Sequence, residues 1–215
     1  MAKRRKVNNL LALVLLATLA ERPMHPYEMA SLLKERGKDH SVKINWGSLY
    51  TVVQNLERHG FVRATETVKA GRRPERTVYE ITDAGRAELE DWLRELVGEP
   101  TKEYTRFEAA LSVIPVLPPD EVRRLLAHRL ATLEAQIKRD QETLREAGKE
   151  VPRIFLIEAE FCLALVEAEA GWVRSVLAEL DTATLPGIDL WRQFHETGRM
   201  PPELEEMSRK GVPAD

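Results

Sequence analysis

INWGSLYTVVQNLERHGFV, residues 44–62, decides how the first half of this chain folds. Asn45 stands just before an apolar-periodic run, where its side-chain oxygen can accept an amide hydrogen near Ser48 and so cap a helix. The helix runs to His59 and stops at Gly60, a residue that readily turns into the left-handed region. Within it Leu49, Val53 and Leu56, with Val52 alongside, recur at helical spacing and form a core face. Ser48, Thr51, Asn55 and Arg58 then share the opposite stripe, with Gln54 at its margin. Such a helix has one face for a core and one for hydrogen bonding to something outside.

Working outward toward the N-terminus, Leu10, Leu13, Leu16 and Leu19 with Val14 predict a helix over 8–21, ended by Pro23. Pro26 opens a second helix carrying Met29, Ala30, Leu32 and Leu33 to about Gly37. A polar turn over 38–43 leads into the helix above. On the other side, 61–67 and 77–81 are short β-leaning runs flanking a basic tip with Gly71 and Pro74, the pattern of a hairpin. Thr82 caps a fourth helix with Ala87, Leu89, Trp92, Leu93 and Leu96, ending near Gly98 and Pro100. Three helices, a hairpin and a further helix make a winged helix-turn-helix.

The second half is all helical: a short helix over 106–113, a long one from the prolines at 118 and 119 to about Gly148, another over 152–180, and a short one over 188–196. Leu126, Leu130, Leu133, Ile137 and Leu144 lie near a heptad seam, and the 152–180 helix is apolar on two sides, implying more than one packing partner. The fold class is therefore mainly α, with an N-terminal winged helix-turn-helix over 1–100, a helical dimerisation domain over 101–184 and a C-terminal tail over 185–215.

The whole-chain charge of −3 over 215 residues conceals an asymmetry. Residues 1–80 hold 15 Lys and Arg against 8 Asp and Glu, while residues 81–215 hold the other 17 and 27, so +7 in the first part faces −10 in the rest. One part is suited to a polyanion and the other is not. The single Cys162 rules out an internal disulfide and a cysteine-rich metal site, and on an apolar helix face it reads as an inert thiol. Lys3, Arg4, Arg5 and Lys6 before the apolar run give the order of an export leader, but Thr18 suits a cleavage site poorly and the run is needed as the first core helix; the chain is expected to be cytoplasmic, with no membrane partner. The five histidines are scattered and no catalytic motif is present, so neither enzyme activity nor a cofactor is expected.

Three segments resemble the PadR family of bacterial transcription regulators. Residues 22–29, RPMHPYEM, are similar to the family's turn into helix two, with Pro26 where glycine is commoner. Residues 44–62 resemble its recognition helix, except that Trp46 and Thr51 stand where prolines are frequent, and GRRPERTVY with ITDAG, residues 71–79 and 81–85, resemble its wing. Beyond residue 101 the resemblance is architectural: longer members carry a helical domain that dimerises.

The expected function is transcription regulation, as a repressor, through double-stranded DNA bound as a homodimer at an inverted repeat. A helix in the major groove reads base edges while cations grip phosphate. Asn45, Ser48, Thr51, Gln54, Asn55 and Arg58 are the expected readers, and Lys69, Arg72, Arg73 and Arg76 the expected wing contacts. The resemblance implies that Tyr50 touches phosphate; its place beside Leu49 equally suits a core aromatic. Residues 3–6 either trail along DNA or form a disordered arm. The family's response to small compounds suggests a small aromatic or hydrophobic effector held between the two domains, with Phe161, Cys162 and Trp172 as lining residues. The alternative is a winged helix that docks protein and not DNA.

Overall fold

The computed structural model describes residues 5–38, 42, 46–68, 76–199, 201, 202, 206 and 209. They form two compact units, Met1–Glu103 and Tyr104–Asp215, each with its own core.

The first unit is built around α1 (Leu10–Glu21), capped by Asn9, whose side chain accepts the Leu11 amide hydrogen at 2.9 Å. This helix is apolar almost all round, so nearly every side has to be covered. Leu11, Leu15, Leu16 and Leu19 are at most 1% exposed, each such burial being worth roughly 2 kcal/mol. Its one buried hydroxyl, Thr18, donates to the Val14 carbonyl at 2.7 Å, so no polar atom is left stranded there. The run that imitates an export leader is thus the pillar of this core.

Around α1 pack α2 (Pro26–Glu35), α3 (Trp46–Arg58), β2 (Arg76–Ile81) and α4 (Asp83–Gly98). Proline at N1 starts α2, and His25 caps it by accepting the Tyr27 amide hydrogen on Nδ1 at 3.1 Å. Helix α3 ends in a left-handed Gly60, at φ +74°, with the Phe61 amide reaching back to the Leu56 carbonyl at 3.0 Å. β1 (Val62–Val68) pairs antiparallel with β2, Val62 opposite Ile81, with a register irregularity between Ala64 and Glu66. On the other side of β2, Tyr79 exchanges two 3.0 Å backbone hydrogen bonds with Met24, the residue between α1 and α2.

The joint between wing and α4 is made by one threonine. The Thr82 hydroxyl donates to the Gly60 carbonyl at 2.7 Å and accepts the Gly85 amide hydrogen at 3.0 Å, while its own amide donates to the Phe61 carbonyl at 3.0 Å. The first turn of α4 therefore lies against Phe61. A Cβ on Gly85 would fall 2.0 Å from the Phe61 carbonyl oxygen, so only glycine fits. A second tie involves the N-terminal arm: the Arg5 side chain, 4% exposed, pairs with Glu88 at 2.8 Å, Asp91 at 3.3 Å and Glu95, and lies 5.4 Å from the Trp92 ring centre. Arg5 is thus neither trailing nor loose, and residues 1–4 lie outside the described residues.

In the second unit α5 (Arg106–Leu111) is capped by Thr105 and followed by a 3₁₀ turn at Ile114–Val116. α6 (Pro119–Ala147) and α7 (Ile157–Asp181) form an antiparallel hairpin. The seam expected on α6 is largely spent inside the chain, where Val122, Leu126 and Leu133 pack with Ala170, Val173, Leu177 and Leu180. Side-chain bonds Arg123–Asp181, Glu134–Arg174 and Gln141–Glu167 flank it. The helix expected to begin at 152 begins at Ile157 instead. Residues 153–155 form a 3₁₀ turn whose i to i+3 bonds, Phe155 to Pro152 and Leu156 to Arg153, turn the chain back along α6. α8 (Ile188–Thr197) docks through buried Ile188, and its Trp191 indole donates to the Leu117 carbonyl at 2.9 Å. Among the described residues no helix is long and apolar enough to cross a membrane.

Gly85→Ala should lower the urea midpoint of the first unit by an amount equal to about 2 kcal/mol or more, because the colliding atom is backbone and cannot rotate away. An unchanged midpoint would mean that α4 does not press on Phe61 as described.

Candidate nucleic-acid interface

Helix α3 is anchored by Leu49, Val52, Val53 and Leu56, all buried in the first core. At about 100° per residue, this anchoring turns Gly47, Thr51, Gln54 and Arg58 toward solvent at the centre of the free face. Asn55 and Ser48 fall on its inner flank and are half-buried. Gln54, placed at the margin by spacing alone, is therefore central, and Asn55 is lateral. The cause is that Val52 is drawn into the core together with Leu49 and Val53, which rotates the helix slightly from the position its leucines alone would set.

The side chains of Thr51, Gln54 and Arg58 make no hydrogen bond or ion pair among the described residues. A polar row without partners among the described residues has hydrogen-bonding capacity to offer a partner. Tyr50 is 47% exposed, which removes it from the core, and its ring meets His25 edge-on with centroids 6.3 Å apart. Sequence reasoning overlooked His25 as a part of this surface; its signal was a histidine directly before the proline of a helix start, in capping position. The N-terminus of α2 and the start of α3 thus adjoin one another through an exposed aromatic pair.

Strand β1 of the wing packs against α3. Arg76 is the first residue of β2, whereas Asn45, Lys69, Arg72 and Arg73 lie outside the described residues. Below the tip, Tyr79 is half-buried, and burial together with the charge of Glu57 pushes its phenol above the ordinary value, so it stays neutral at working pH. Arg63 pairs with Glu80 across the strands.

Phe161, Cys162 and Trp172 all sit on α7 and are all exposed; Trp172 meets Phe107 of α5 edge-on at 5.9 Å. Phe161 and Trp172, with Ile157 and Leu165, mark a solvent-facing apolar stripe away from the seam that packs on α6, while Cys162 falls on the side of Val166 and the seam. Among the described residues no group of His, Cys, Asp and Glu is placed to hold a metal ion.

Comparison with known proteins shows what the part of the chain that carries this surface is similar to. Residues 15–91, from the middle of α1 into α4, match the transcriptional regulator PadR-like family. Over 85 residues the chain is 35% identical to a probable transcriptional regulator of Mycobacterium tuberculosis, a match covering 38% of this chain and 42% of that relative. It is 25% identical over 178 residues to the negative transcriptional regulator PadR of Bacillus subtilis, covering 78% of this chain and 95% of that one. Crystal structures of the Bacillus subtilis protein share the fold, with a TM-score of 0.62 at 22% identity for its complex with operator DNA and 0.65 at 20% identity for its complex with p-coumaric acid, each covering 80% of this chain and 99% of the other. Over residues 15–91, then, the chain is similar to the PadR-like transcriptional regulators, and the solved structures share its fold across 80% of its length.

Proposed function

We propose that this regulator is a cytoplasmic repressor that binds an inverted-repeat operator as a homodimer and is released by a small apolar effector. The observation that carries the DNA reading is the row Thr51, Gln54 and Arg58, exposed and without a partner among the described residues, on a helix whose other face is fixed in the core. A glutamine can pair with adenine and an arginine with guanine in the major groove. Ser48 and Asn55 reach the same groove from the inner flank, and Tyr50 meets the phosphate that borders it. The wing cations Lys69, Arg72, Arg73 and Arg76 supply grip without sequence preference.

Dimerisation is supported by the exposed apolar stripe of α7. Phe161 is 64% exposed and Ile157, Leu165 and Trp172 continue its line, a patch of the kind that soluble chains cover with a partner. A two-fold dimer sets two recognition helices about 34 Å apart, one helical turn of DNA, hence the inverted repeat. An effector releases the operator only if it binds the released conformation more tightly than the DNA-bound one. Phe161, Cys162 and Trp172 remain candidates for its contacts on α7.

If each wing neutralises two phosphates, Arg72→Ala with Arg73→Ala should flatten the slope of log affinity against log salt by roughly 3 to 4 in a dimer. An unaltered slope in a fluorescence-anisotropy titration would take the wing out of the mechanism. Gln54→Ala should weaken operator binding by about 1 to 3 kcal/mol while hardly changing affinity for random duplex; equal losses on both would assign Gln54 to the backbone and not to bases. Light scattering at micromolar concentration should give twice the chain mass, and a monomer there would contradict the two-fold operator. Should the protein ignore duplex DNA of every sequence at low salt, the winged helix serves to dock protein instead.

A further inference from the structure

The second unit carries a groove of 590 Å³ between α5, the 3₁₀ turn after it and α6, within the roughly 300–1,000 Å³ span of small-molecule sites. Its walls are aliphatic, formed among others by Ala110, Leu111, Ile114, Val122, Leu125 and Leu126. Neither Phe161, Cys162 nor Trp172 lines it, although Trp172 pairs in a T-shaped arrangement with Phe107, which does.

One end of the groove is polar and rigid. The Arg129 guanidinium carbon lies 3.6 Å from the centre of the Phe107 ring, and its Nε donates to Glu169 at 2.5 Å. These two contacts fix the plane of the guanidinium. They leave both terminal nitrogens without a hydrogen bond among the described residues. A guanidinium held flat with its terminal pair unspent matches a carboxylate bidentately, and such preorganisation reduces the ordering cost of binding. Next to it His128 adds a second nitrogen base at the rim, whereas the Thr132 hydroxyl is occupied by the His128 carbonyl at 3.0 Å.

The same contacts select the body of the ligand. Phe107 and the His128 imidazole are the aromatic rings of the lining; Arg129 covers one face of Phe107, and Trp172 stands nearly perpendicular to it. The remaining walls are branched aliphatic side chains around an open, elongated space. They suit a flexible alkyl chain better than a ring that needs a stacking partner. We propose that this groove is a binding site for a medium-chain alkanoate, its carboxylate on the terminal nitrogens of Arg129 and its chain along the α5 and α6 walls. The assignment rests on the small-molecule part of the proposed function and gives it a place and a ligand class.

Equilibrium dialysis of the full chain against octanoate and octan-1-ol tests it. The wild-type protein should take up octanoate saturably and hold octan-1-ol about tenfold more weakly or worse, because the alcohol offers no bidentate acceptor. Arg129→Gln should lose about tenfold in octanoate affinity and leave octan-1-ol unchanged, a split that a merely structural arginine would not produce. Ala110→Phe, which fills the groove without touching Arg129, should abolish uptake of both while circular dichroism stays native. Equal binding of acid and alcohol, an Arg129→Gln variant that binds octanoate like the wild type, or no uptake of either probe overturns the assignment. If Ala110→Phe turns a dimer into a monomer in light scattering and neither probe binds the wild type, the groove belongs to a second copy of the chain and the assignment falls. Operator affinity measured with saturating octanoate separates the two ideas: octanoate uptake with an unaltered grip on DNA keeps the site and removes its regulatory role.

Discussion

The burial of α1 on nearly every side is the constraint from which the first unit follows. A helix whose leucines face in several directions has no stable surface to show to water, so α2, α3, β2 and α4 must surround it. That requirement fixes the rotation of α3, because Leu49, Val52, Val53 and Leu56 are the residues that cover α1 and its neighbours. The free face of α3 is then what remains after the core has taken its share. The outward row is in this sense a residue of packing: Thr51, Gln54 and Arg58 face solvent because the others cannot.

The wing is positioned by backbone and by one hydroxyl more than by apolar contact. Thr82 ties the carbonyls that follow α3 to the first turn of α4, and Gly85 allows the helix to approach where a methyl group would collide. Arg5 adds a clasp of a different kind, one cation among three carboxylates of α4. Removing a side chain so enclosed leaves three like charges facing one another, which makes the clasp stabilising through what it prevents as much as through what it forms. The basic character of the N-terminus is thus partly consumed within the unit.

The order of elements was legible in the sequence because each boundary has a local chemical cause. Pro23, Pro26, Gly37, Gly60 and Thr82 act on the residues next to them, and the helices end within a residue or two of where those residues put them. What could not be read depends on contacts far apart in the chain. The Arg5 clasp joins positions more than eighty residues apart, and its lone arginine looks like part of a basic arm. The choice between Gln54 and Asn55 as the centre of the outward face turned on how deeply Val52 sinks, which spacing does not specify. On α6 the heptad pattern was genuine, but periodicity does not say whether the partner lies in the same chain; α7 folds back and takes it. The 3₁₀ turn at 153–155 escaped notice because its residues are individually as compatible with a helix as those that follow.

The double bond between Met24 and Tyr79 involves only main-chain atoms. Side-chain replacement at either position leaves the donors and acceptors in place, proline excepted. The attachment of the hairpin is therefore insulated from most mutational drift, while the outward row of α3 carries no duty in the core. Descendants of this chain can vary those few exposed positions, one at a time, without dismantling the scaffold that presents them.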